Sequence, residues 1–96
     1  MAPRSAVPLV EFQKGLNTLV LSLDSDLDLT TFQQGKPYDF LDSLAVMDLA
    51  FKIEKRFQTE ILETQMRDLY LQKDISYGQF VSSWYEVYLT TLERKT

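Results

Sequence analysis

The stretch that decides the fold is Asp42-Ser43-Leu44 with the run it opens, Ala45 to Phe57 (AVMDLAFKIEKRF). It contains no Gly or Pro and follows a polar, turn-prone segment, so the pattern predicts a helix from Ser43 to Phe57. Asp42 or Ser43 supplies the N-cap, its side-chain oxygen accepting from a free N–H of the first turn. Setting each residue about 100° on from the last puts Leu44, Met47 and Phe51 within roughly 60° of one another. Val46, Leu49, Ala50, Ile53 and Phe57 fall on the opposite side. A surface helix carries one apolar stripe, facing the core. With two, this helix is either deeply buried or holds one stripe for something outside the domain.

Before this run, Leu9, Phe12, Leu16, Leu19, Val20 and Leu23 recur at three- and four-residue steps. They predict a first helix to about Ser22, with Pro8 at its first turn, where a missing N–H costs nothing. Gly15 weakens that helix by ~1 kcal/mol relative to Ala. Asp24 to Asp39 reads as a long polar connection. Asp24, Asp26 and Asp28 repeat the opening spacing of a calcium-binding EF-hand loop. The match then fails, because Leu29 stands where that loop needs Gly and Gly35 where it needs a bidentate Glu. The acids are read as a solvated loop, with Leu29 and Phe32 docked on the core and a turn at Gly35-Lys36-Pro37.

Beyond Phe57, Thr59-Glu60-Ile61 breaks the run, and a short third helix is expected from Thr64 to Leu71 with Met66, Leu69 and Tyr70 inward. Ser76 offers the N-cap of a last helix, Tyr77 to about Leu92, with Phe80, Val81, Trp84, Val87, Tyr88 and Leu92 on one face. No alternating strand pattern is long enough to build a sheet. The expectation is an all-α fold, a small four-helix bundle of three longer helices and one short third helix. Residues 8–92 form the domain, with loose ends at 1–7 and 93–96.

Composition narrows the function. The 96 residues suffice for one core, and 45% hydrophobic with 25% charged residues is usual for a soluble globular domain. A net charge of −4 disfavours a nucleic-acid surface and suits a basic partner. The chain has no cysteine and no histidine. That removes disulfides, thiol nucleophiles, the usual zinc ligands and the Ser-His pair. No stretch approaches a membrane span and no signal peptide is visible, so the cytoplasm is the expected compartment.

The Asp42-Ser43-Leu44 triplet after a long loop, the two-striped helix, the short third helix and the amphipathic last one together resemble the acyl carrier protein family, which includes the peptidyl carrier domains of modular synthases. The resemblance spans roughly Leu9 to Leu92 in element order, and its residue matches are Asp42, Ser43, Leu44, Leu49, Ile53, Glu54, Phe57 and Glu60-Ile61. It implies that Ser43 carries 4′-phosphopantetheine, transferred from coenzyme A by a phosphopantetheinyl transferase. The arm would hold acyl or aminoacyl groups as thioesters. It further implies that Leu44, Met47 and Phe51, with Asp42, Asp48 and Glu54 around them, meet the partner enzymes: an acyl-loading enzyme or ligase, and a ketosynthase or other acyl-processing enzyme. The carrier would be a monomer with no catalytic residues of its own. If the core shelters cargo, Leu49, Ile53, Phe57, Met66, Phe80 and Val81 line it.

Part of this follows without the family. A swinging arm needs an exposed hydroxyl on a rigid support, and a helix N-terminus also tolerates a phosphodiester. The sequence departs from the family at Phe40, where Gly is common, and at Asp39, where Leu is common. Lys55 and Arg56 stand where fatty-acid carriers commonly show acids, which points to a dedicated pathway with a different partner surface. The competing class is a non-covalent helical docking module in which Ser43 is an unmodified N-cap. A hydrolase using Ser43 lacks any visible base.

Overall fold

The computed structural model describes residues 6–95, with side chains through Glu93. Five α-helices follow one another: α1 Leu9–Leu23, α2 Leu29–Gln34, α3 Ser43–Phe57, α4 Glu63–Leu71 and α5 Tyr77–Lys95. A single 3-10 turn, Pro37–Asp39, precedes α3. The described residues hold no strand, so the fold is an all-α bundle.

Four of the five helices start at a recognisable local feature. Pro8 is the N-cap residue of α1. Asp28 accepts from Thr31 N at 3.1 Å to open α2, and Asp42 accepts from Ala45 N at 2.8 Å to open α3. Ser76 and Gln79 form a reciprocal capping box at the start of α5: Ser76 Oγ accepts from Gln79 N, and Gln79 Oε1 accepts from Ser76 N. α3 stops where Gln58 turns left-handed at φ 53° and Thr59 N donates back to the Glu54 carbonyl.

The core lies between α1, α3 and α5. Phe12, Leu16, Val20, Leu49, Ile53, Phe80 and Trp84 are fully buried. Phe12 stacks on Tyr88 at 5.2 Å and meets Phe57 at 4.9 Å, tying the three helices through one aromatic cluster. Gly15 sits where α1 crosses α3. A Cβ there would come within 2.7 Å of Phe57 Cζ and 2.8 Å of Arg56 Nε, so a side chain would force the Phe57 ring and Arg56 to shift.

Two expectations change. The polar connection contains a helix: Phe32 on α2 is fully buried, edge-on to Phe80 at 5.5 Å and to Tyr77 at 5.9 Å. The bundle therefore has a fifth, six-residue helix beyond the four expected. At the ends, Val7 is already fixed, its N–H donating to Tyr88 Oη at 2.9 Å and its carbonyl accepting from Tyr85 Oη at 2.7 Å. α5 continues to Lys95, past the expected end at Leu92. Residues 1–5 and 96 of the expected loose ends lie outside the described residues.

Candidate functional site

α3 organises the site because its two stripes separate cleanly. Val46, Leu49, Ala50 and Ile53 are buried against the core. On the other side Leu44 is 73% exposed, Phe51 55% and Met47 46%. Of the two readings of the doubled stripe, the structure selects the one with an outward apolar face. Asp48 and Lys55 are exposed, and Arg56 lies over the Phe57 ring at 5.9 Å.

Ser43 is the first residue of α3 and is exposed. Asp42 performs the capping, which decides between the two candidate caps and leaves the serine hydroxyl without that duty. Among the described residues Ser43 Oγ makes no hydrogen bond. The first intrahelical bond of the turn is Val46 N to Asp42 O, so the N–H groups of Ser43 and Leu44 face outward beside that hydroxyl. A phosphodiester on Ser43 fits here: the oxygen is free, solvent reaches it, and unpaired N–H groups with the positive helix end lie next to it.

A cleft of about 450 Å³ runs from Ser43 between α3 and α4, lined by Val46, Met47, Phe51, Met66 and Tyr70, with Glu63 and Arg67 on its rim. Glu63 and Arg67 pair with each other at 3.2 Å across one turn of α4. Of the six residues expected to shelter cargo, only Met66 reaches this cleft. Leu49, Ile53, Phe80 and Val81 belong to the closed core, and Phe57 packs between Phe12 and Tyr88. Composition and periodicity mark apolar residues for burial without saying which border a gap between helices.

Glu54 differs from its expected place among the free acids of the docking face. Its Oε2 accepts from Ile61 N at 2.9 Å, where the chain turns from α3 towards α4. Glu54→Lys is therefore expected to lower stability by about 1.5–3 kcal/mol, the range for a hydrogen bond to a charged group. Thermal unfolding checks this; an unchanged melting temperature would return Glu54 to the docking face. The neighbouring Thr59 hydroxyl pairs with Thr91 on α5, fixing the same connection.

Tyr38, from the 3-10 turn, was not legible as a core residue among Lys36, Pro37 and Asp39. It inserts between α4 and α5, edge-on to Tyr70 at 5.8 Å and to Phe80 at 5.5 Å. Burial pushes its hydroxyl from 10.0 up to about 12, with the Trp84 indole N–H beside it pulling the other way. Among the described residues Tyr38 Oη and Trp84 Nε1 are both buried, and neither makes a hydrogen bond of full geometry. The unfolded chain loses the Tyr38 proton near pH 10 while the folded one keeps it to about 12. The folded state then binds more protons, so stability falls as pH rises through that window, by on the order of 2–3 kcal/mol. Chemical unfolding at pH 9 and pH 12 should show the loss, and Tyr38→Phe should flatten it.

Asp24, Asp26 and Asp28 do not converge. Asp24 accepts from Asp26 N and Asp28 caps α2, and the described residues contain no cluster of three metal-ligating side chains. No helix among the described residues is long and apolar enough to cross a membrane. Comparison with protein-family models, curated proteins and solved structures returns no match for this chain.

Proposed function

We propose that this protein is a carrier. In this reading Ser43 bears 4′-phosphopantetheine, and the outer face of α3 presents the loaded arm to enzymes of a fatty-acid, polyketide or nonribosomal-peptide type of pathway in the cytoplasm. The observation that carries this reading is the division of labour at the head of α3: Asp42 caps the helix, and Ser43 Oγ is exposed and unbonded. In the transfer, Ser43 Oγ forms a bond to phosphorus and the pyrophosphate P–O bond of coenzyme A breaks. 3′,5′-Adenosine bisphosphate leaves, and the hydroxyl proton passes to a base on the transferase. The bound group supplies a thiol that holds an acyl chain as a thioester, open to nucleophiles.

The chain's own residues supply position and recognition. Helix α3 fixes the point of attachment, and Leu44, Met47 and Phe51 offer apolar contact next to it. Asp42 and Asp48 favour a cation on the partner near the arm, whereas Lys55 and Arg56 favour a carboxylate at the far end of the helix. Such a mixed patch gives rapid, oriented and reversible encounter. A chain without histidine or cysteine suits this division, because the partners bring the catalytic groups.

Incubation with coenzyme A and a broad-specificity transferase should add one phosphopantetheine mass to the chain. A protein left unmodified by several such transferases would favour the second reading, a non-covalent docking module. The exposed stripe of α3 also supports that module, since it needs the apolar face and no modified serine.

A further inference from the structure

At the far end of α3 from Ser43, positive charge stands without a matching acid. Lys36 and Arg67 are each paired, with Asp74 and Glu63. Lys14 and Arg56 form no ion pair among the described residues, yet both line one open hollow of about 470 Å³ where α1 crosses α3. Glu11 borders the same hollow and pairs with neither. A cation in the last turn of a helix can sit on that helix's own terminal carbonyls. Arg56 instead lies across α1: its Nε is 2.8 Å and its Cδ 3.4 Å from where a Cβ on Gly15 would stand.

That placement holds the guanidinium ready. Gly15 leaves room for its stem, and its carbon lies 5.9 Å from the centre of the Phe57 ring. Phe57 and Val7 give the hollow apolar walls, and Val7 is fixed by its bonds to Tyr85 and Tyr88. A guanidinium positioned before binding loses little freedom on forming two parallel bonds to a carboxylate. At 100° per residue along α3, Lys52 and Lys55 fall between Arg56 and the outer stripe, so the basic flank runs on into the exposed apolar face. In a chain of net charge −4, an acid from outside meets attraction here and repulsion over most of the surface.

We propose that the hollow between α1 and α3 receives the carboxylate of an Asp or Glu side chain from a protein partner, held by Arg56 and Lys14, with an adjoining apolar residue of the partner against Phe57 and Val7. The hollow is open, wide and partly apolar, which suits a peptide segment better than a lone inorganic anion. The partner's footprint thereby extends from α3 onto α1. This holds whether or not Ser43 is modified, so it stands or falls apart from the carrier reading.

The probes are the peptide acetyl-Ala-Glu-Phe-Glu-Ala-amide and its counterpart with Gln for Glu, titrated into the isotope-labelled full chain. The Glu peptide should shift the Gly15 amide and Arg56 Nε–H resonances saturably and less at high salt, and the Gln peptide should leave them in place. Arg56→Gln should weaken binding by about tenfold, the loss of one charge-assisted contact. Lys14 is exposed, so Lys14→Gln should keep the melting temperature and also weaken binding. Glu11→Gln removes the competing acid and should strengthen it. Unchanged affinity in the Arg56 and Lys14 variants would overturn the proposal, as would equal shifts with both peptides or shifts that avoid Gly15 and Arg56. Inorganic phosphate moving the two resonances as far as the Glu peptide does would overturn it too, by making the hollow a site for any anion.

Discussion

Ser43→Ala is expected to abolish attachment of the arm completely while leaving the melting temperature unchanged or slightly raised. The structure makes this substitution unusually clean. Ser43 Oγ bonds to nothing among the described residues, its side chain is exposed, and the cap comes from Asp42. Alanine has the higher helix propensity, by a few tenths of a kcal/mol, so the helix loses nothing by the change. Intact mass and thermal unfolding on the same preparation separate the two effects. Continued modification of the variant would move the attachment point to another hydroxyl, and a large fall in melting temperature would mean that Ser43 serves the fold. Asp42→Ala provides the contrast: it removes the cap and should cost about 1 kcal/mol.

Trp84→Ala is expected to destabilise the domain by about 3–5 kcal/mol, the range for truncating a large buried aromatic. Domains of this size have total stabilities of roughly 5–15 kcal/mol, so the variant should be partly or wholly unfolded at moderate temperature. Trp84 is fully buried on α5 and packs edge-on against Phe80 at 6.3 Å, which in turn meets Phe32 and Tyr38. Its loss would loosen α2 and the 3-10 turn together, the two elements that pin the segment leading into α3. Denaturant unfolding followed by far-UV circular dichroism checks this. A cost below about 1 kcal/mol, the size of an ordinary surface effect, would mean that the core is not organised around this ring.

The sequence displayed α3 almost completely. Its bounds and the division of its apolar residues into two stripes follow from a fifteen-residue run of helical periodicity with an acid ahead of it, while the outward position of Leu44, Met47 and Phe51 is shown by the structure. Ser76 was legible as a cap, a short polar residue ahead of a helical run, and the structure adds Gln79 as the other half of a capping box. α2 was not, because six residues carry less than two turns, and Leu29 and Phe32 alone do not establish a period. Its one available signal was Asp28 preceding Leu29-Thr30-Thr31-Phe32, an N-cap that the alternating acids disguised as part of a loop.

The candidate site was legible where it depends on one helix and obscure where it depends on contacts between elements. Ser43 and the outer stripe lie on α3 itself. The role of Glu54 depends on where Ile61 returns after the turn, and that of Tyr38 on a 3-10 turn wedged between α4 and α5. Neither placement has a periodic signature. The lining of the cleft fell between these cases: Met66 and Tyr70 were legible as inward residues of α4, but their position along a gap beside Ser43 is a property of the packing.

The central claim is tested most directly by tandem mass spectrometry of the peptide containing Asp42-Ser43-Leu44, taken from protein isolated from the cells that make it. The account predicts phosphopantetheine, free or acylated, on Ser43. A peptide recovered only in its unmodified form, or with the arm on a different residue, would contradict it.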